Sequence, residues 1–110
     1  MDVELALEAL AALSHETRLW AFRLLVQAGP EGLPAGEIAE SLGSRQNTMS
    51  SHLKVLAQAE LIEATRDGRS IVYTANYATV RALVLFLMED CCEGRSDVCR
   101  PVAESLAASA

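Results

Sequence analysis

Residues Ser44–Leu61, SRQNTMSSHLKVLAQAEL, decide how the chain is read. At helical period Met49, Leu53 and Leu56 fall on one stripe, with Asn47, Ser50, Ser51, Lys54 and Gln58 on the opposite face. An apolar back and a front of short amides, hydroxyls and one lysine suit a helix laid against base edges and phosphates. A solvated surface helix carries the same pattern, so the flanking sequence must separate the two.

Upstream, Pro34–Leu42 reads as a short helix with Pro34 in its first turn and Ile38 and Leu42 inward. Gly43 is its natural stop, and Ser44 can cap the next helix. Two helices meeting at a Gly turn, the second with a polar front, form a helix-turn-helix pattern. Downstream, two β-branched runs flank Asp67-Gly68, a strong hairpin signal. Pairing outward from that turn sets Arg66 opposite Arg69, Ala64 opposite Ile71 and Ile62 opposite Tyr73. Like charges facing each other at the tip are unfavourable unless an anion approaches, which points to phosphate contact by Arg66 and Arg69. The expected fold is mainly α with a small β-hairpin: a winged helix-turn-helix.

The two ends of the chain are more apolar than one small domain can cover. Residues 2–13, DVELALEALAAL, carry Val3, Leu7 and Leu10 on one stripe and Leu5, Ala9 and Ala12 on another. The last helix, about Ala78–Cys92, has almost no polar face and is too short to span a bilayer. Burial of both in a symmetric homodimer is the economical solution, and it would set two recognition helices about one turn of DNA apart. Between them, Ser14 is the expected N-cap of a helix over His15–Ala28, with Leu19, Phe22, Leu25 and Val26 towards the core and Trp20 packed. Residues 1–92 are therefore assigned to one DNA-binding and dimerisation domain and 93–110 to a flexible tail.

Net charge is −6, yet its distribution is uneven. Residues 1–43 hold seven acids and two bases, and residues 76–110 five acids and three bases. Residues 44–75 carry four bases against three acids, so the middle alone has a positive balance. DNA is not excluded as a partner, but non-specific affinity should be weak and easily released by salt. The acidic start MDVELALEAL is unlike a secretory signal and no apolar run reaches about eighteen residues. The expectation is a cytoplasmic protein with no membrane partner, in which three cysteines are reduced thiols or ligands.

Three motifs in order resemble the ArsR/SmtB family of metal- and metalloid-responsive repressors over about residues 8–92. ALSHETRLWAFRLL (residues 12–25) is similar to the family's ALxxPTRLxILxLL, with Glu16 where proline is usual. GEIAESLGSRQNTMSSHLKVLAQAELI (36–62) resembles its helix-turn-helix and DGRSIVYT (67–74) its wing. The resemblance implies operator contact by Gln46, Asn47, Ser50, Ser51 and Lys54, with Arg66 and Arg69 on the wing and Arg45 and His52 as additions. For His52, packing is an equal alternative to DNA contact. It also implies a regulator and not an enzyme. The family's Cys-x-Cys site before the recognition helix is absent, since LPAGEIAESL (33–42) has no cysteine. Its zinc-type Asp/His site on the last helix is absent too, the histidines being His15 and His52.

What remains is EDCCEGRSDVC, with Cys91, Cys92 and Cys99. Adjacent cysteines make a strained disulfide and the spacing is no Cys-x-x-Cys redox motif. Three sulfurs without a fourth ligand suit trivalent arsenic or antimony, As(III) or Sb(III), as inducer; structural zinc normally wants four. Asp90 or Asp97 could supply a fourth donor for zinc, cadmium or lead. The arrangement is similar to arsenite-responsive members with CC…C after the last helix. Competing readings are a repressor of the same fold sensing an oxidant or persulfide, and a small thiol enzyme or metallochaperone.

Overall fold

The computed structural model describes residues 1–89. Five helices and three short strands follow in the order α1 (Val3–Leu13), α2 (Glu16–Ala28), β1 (Leu33–Pro34), α3 (Ala35–Leu42), α4 (Gln46–Gln58), β2 (Ile62–Asp67), β3 (Ser70–Ala75) and α5 (Tyr77–Met88). Helix α1 starts where the Asp2 carboxylate accepts a hydrogen bond from the Leu5 amide at 2.8 Å. Ser14 ends α1 instead of starting α2. The cap of α2 is His15, whose Nδ1 accepts from the Thr17 amide at 3.2 Å. A basic ring nitrogen here does the work assigned to a hydroxyl.

The turn between α3 and α4 follows the sequence reading. Gly43 has φ +65°, and the Ser44 amide donates back to the Ala39 carbonyl at 2.9 Å, closing α3 with a left-handed residue. Two expectations nearby fail. Pro34 belongs to β1 and flanks α3 without entering it, and Arg45, not Ser44, is the flanking residue of α4. Pro34 keeps its extended backbone, ψ 157°, and so can pair with Val72 at the edge of the sheet.

The sheet has order β1-β3-β2 and is antiparallel throughout. Its hairpin register differs from the expected one. Asp67 pairs with Ser70, Arg66 with Ile71, Ala64 with Tyr73 and Ile62 with Ala75, so Gly68 and Arg69 form the turn. Gly68 has φ +63° while Arg69 is not in the left-handed region, the pattern of a turn that needs glycine at its first central position only. Arg66 and Arg69 are therefore not cross-strand partners. Because the register moves by an even number of residues, Ile62, Ala64, Ile71 and Tyr73 still share a face.

The core gathers around α4. Met49, Leu53 and Leu56 are fully buried, together with Leu25, Ile38 and Leu61. From α2 come Ala21, Phe22 and Leu25. Leu19 and Val26, expected inward, are 44% and 40% exposed. The inward stripe is centred on Ala21 and Leu25, and 3.6-residue periodicity turns Leu19 and Val26 away from it. Trp20 also lies outward, with the Arg23 guanidinium 5.2 Å from its ring centroid. Helix α5 is capped by Asn76, whose side chain accepts from the Thr79 amide at 3.4 Å. Its start is tied to the core by the Asn76 amide on the Leu61 carbonyl at 2.9 Å. Cys91, Cys92 and Cys99 lie outside the described residues.

Candidate nucleic-acid interface

Helix α4 is held by its apolar stripe and leaves its other side free. Asn47, Ser50, Ser51, Lys54 and Gln58 are all exposed, as are Gln46 and Arg45 before them. With Met49, Leu53 and Leu56 inward, helical geometry puts Asn47, Ser51, Lys54 and Gln58 at the centre of the outward face. Ser50 and Gln46 sit on one flank; Thr48, Val55 and His52 sit on the other. Thr48 is exposed and one turn before the Ser51–His52 pair, and the sequence reading omitted it. Its i, i+3 relation to Ser51 was the available signal.

Local hydrogen bonds set what this face can offer. Asn47 Oδ1 accepts from the Thr48 amide at 2.9 Å, which leaves the Asn47 NH₂ group as the part presented outward. Ser51 Oγ donates to the Asn47 carbonyl at 3.3 Å, one turn back along the helix. A bidentate grip on adenine by Asn47 would require its amide to rotate and release Thr48. As it stands, Asn47 donates to an acceptor and Lys54 adds a point charge.

Gln46 lies beside α3: its Oε1 is 3.8 Å from where a Cβ on Gly36 would sit. His52 is half-buried on the opposite flank, its ring centroid 4.5 Å from that of His15 and tilted by 46°. Burial holds the His52 pKa below its ordinary value, with the nearby His15 and Arg18 charges acting in the same direction. The ring is thus kept neutral around pH 7 and placed towards α2. Arg18 itself is anchored on α1, its Nε donating to the Ala12 carbonyl at 2.6 Å.

The wing carries the remaining cations. Arg69 occupies the exposed two-residue turn, and exposed Arg66 lies across from Ile71. The junction between α4 and the wing is set by Glu60, which has φ +64° while the Leu61 amide donates to the Leu56 carbonyl at 3.0 Å. Recognition helix and arginine-bearing hairpin are therefore joined by one left-handed residue.

Comparison with known proteins fits this arrangement. Residues 13–65 match the family described as a helix-turn-helix domain. The chain is 32% identical over 91 residues to the HTH-type transcriptional regulator YgaV of Escherichia coli K12, covering 83% of this chain and 90% of YgaV. The chain belongs to the ArsR/SmtB family of winged-helix transcriptional regulators. Among solved structures, an ArsR-like transcriptional regulator from Rhodococcus sp. RHA1 superposes with a TM-score of 0.72 at 26% identity, covering 94% of this chain and 93% of that one. The antimony-specific transcriptional repressor AntR superposes at 0.58 with 29% identity, covering 72% of this chain and 70% of AntR. ArsR/SmtB membership makes this chain a transcriptional regulator with a DNA-binding fold. Among the described residues no helix is long and apolar enough to cross a membrane.

Proposed function

We propose that the chain is an operator-binding repressor that acts as a homodimer and is released from DNA by As(III) or Sb(III). The observation that carries the DNA-binding half is α4, which buries Met49, Leu53 and Leu56 completely while leaving Asn47, Ser50, Ser51, Lys54 and Gln58 exposed. In this reading Asn47 and its neighbours meet base edges in the major groove, while Arg45, Arg66 and Arg69 meet phosphates. The acidic balance of the rest of the chain limits binding to sites where that face fits.

The dimer is supported by the outward leucines of α1 and α5. Val3, Leu7 and Leu10 are 58%, 60% and 40% exposed, and Leu85 and Leu87 are 60% and 53% exposed. Only alanines of α1 are buried in the chain's own core, namely Ala6, Ala9 and Ala12. A second copy would cover these faces and present two α4 helices to successive major grooves, about 34 Å apart.

The signal is assigned to Cys91, Cys92 and Cys99, which follow α5 in sequence. Three thiolates are a donor set suited to a trivalent, thiophilic metalloid. AntR, an antimony-specific repressor by name, is among the similar structures. Because α5 contributes to the proposed dimer face, an effector held next to it biases the spacing of the two α4 helices. Coupling of about 1–3 kcal/mol, roughly 5–150-fold in DNA affinity, is ordinary for such a linkage.

The test is an electrophoretic shift on the chain's own promoter, with and without arsenite or antimonite under reducing conditions. Release by either metalloid, lost in Cys91→Ser, Cys92→Ser and Cys99→Ser with DNA binding retained, is the expected result. A normal response in Cys99→Ser would remove the three-thiol assignment. Release by peroxide or polysulfide alone would replace the metalloid by an oxidant.

A further inference from the structure

His15 of α2 and His52 of α4 meet on the flank of α4, away from its exposed polar face. His15 is the N-cap of α2, and its Nδ1 must be unprotonated to accept from the Thr17 amide at 3.2 Å. His52 projects from the flank of α4 onto that ring, 4.5 Å between centroids. Proton uptake by His52 places a cation against a second imidazole and against the anchored Arg18, which opposes the packing of this flank of α4 on α2.

We infer that His52 is a positioning residue of the recognition helix, its uncharged ring resting on His15, and that operator affinity therefore falls as the solution is acidified. The inference rests on the proposal that α4 is the DNA-contacting helix.

The surrounding charges favour this sign. From α2, His15 and Arg18 face His52, and each opposes a further positive charge. From α1, Glu8 lines a groove with Arg18, Val55 and Gln58, the α4 residues lying about one to two turns beyond His52. On α4 itself Lys54 is two positions on and projects from the outward face. Helix α3, with Glu37 and Glu40, packs along the other flank, where Gln46 lies beside Gly36. Among the described residues the charges that act on His52 are those of His15 and Arg18, while Glu16 follows His15 in the first turn of α2. Burial, His15 and Arg18 also hold His52 below the ordinary histidine pKa, so its contact is intact above about pH 6.5 and is lost as pH falls below it. Affinity then scales with the fraction of chains whose junction is closed.

General electrostatics predicts the opposite trend, since a chain of net charge −6 becomes less repelled by DNA on acidification. A His52 cation touching phosphate also predicts tighter binding at low pH. The sign of the pH dependence therefore separates positioning from contact.

The experiment is fluorescence anisotropy of the full chain with a labelled duplex that it selects from a random-sequence pool, between about pH 7.5 and about pH 5.5. Wild type should bind more weakly at the acid end, by at least about twofold. His52→Gln and His15→Gln should lose most of the pH dependence, whatever their affinity at the upper pH. Nuclear magnetic resonance of the free chain should show the His52 ring titrating below the ordinary range, and moving towards it in His15→Gln. Tighter binding on acidification, or an unchanged profile in both variants, would overturn the inference. So would a His52 ring that titrates at or above the ordinary value, a readout that stands even if one variant fails to fold. A duplex pool from which nothing is selected at any pH would instead sink the DNA-contact reading, with the ring titration still deciding the junction.

Discussion

Helices α4 and α1 carry similar apolar signals in sequence and resolve them in opposite ways. In α4 the large residues point in: Met49, Leu53 and Leu56 are wholly buried against α2, α3 and β2. In α1 the fully buried residues are alanines, with Leu13 partly buried against the core, while Leu7 is 60% exposed and Val3 58%. Small residues let α1 lie close on the core without inserting into it, so its leucines are left for another surface. Helix α5 is intermediate: it buries Leu83 and packs Val80 and Phe86 on the core, yet exposes Leu85 and Leu87. The helix-turn-helix and wing thus find their core within one chain, whereas the two outer helices leave the apolar faces that the proposed dimer would cover.

The sharpest break of this comparison is Leu53→Ala. Removing a fully buried leucine from the inward stripe should cost about 2–5 kcal/mol through lost transfer energy and a residual cavity. Urea denaturation should report that loss at any protein concentration. Leu7→Ala is its counterpart: at low concentration it should barely move the midpoint, and at high concentration it should lower it. A concentration-independent loss of more than about 1 kcal/mol in Leu7→Ala would mean that α1 belongs to the chain's own core.

Gly32→Ala comes next. Gly32 has φ +66°, and a Cβ there would collide with the Tyr73 carbonyl oxygen and lie 2.7 Å from Thr74 Cγ2. Backbone of β3 has to shift, so β1 should detach from the sheet and stability should fall by about 1–3 kcal/mol. Amide exchange should locate the loss at Leu33–Pro34 and in β3, with α1 and α5 unaffected. Gly29→Ala, at φ +74° but with nothing within 4 Å of the added Cβ, should cost less and so separate crowding from backbone strain.

Most of the architecture was legible because its signals were local. The stripe of α4, the Gly43 stop and the alternating hairpin runs each depend on residues within two turns of one another. The errors also have local causes. Ser14 and Ser44 are good caps by type, but the neighbouring residue already had the extended backbone a cap requires: His15 with ψ 128° and Arg45 with ψ 145°. The hairpin register failed because Asp67-Gly68 and Gly68-Arg69 are both acceptable turns, one wanting two positive φ angles and the other one. For the candidate site, composition of the α4 face placed Asn47, Ser50, Ser51 and Lys54 outward, where they are exposed, but could not show that Asn47 Oδ1 is tied to the Thr48 amide. The partnership of His15 and His52, far apart in sequence, was beyond any periodicity argument.

Glu60→Gly is expected to have a smaller effect, of opposite sign. Glu60 ends α4 with φ +64°, a conformation that costs a residue bearing a Cβ roughly 1–2 kcal/mol and costs glycine nothing. Glycine also raises the entropy of the unfolded chain, which returns part of the gain. The net expectation is a stabilisation of about 0.5–1 kcal/mol in urea denaturation, independent of protein concentration. Independence matters because Glu60 joins α4 to the wing, wholly within the self-sufficient half of the molecule. If the gain appeared only at high concentration, the wing junction would be coupled to the outer helices. The division between a complete DNA-facing unit and an incomplete outer face would then have to be redrawn.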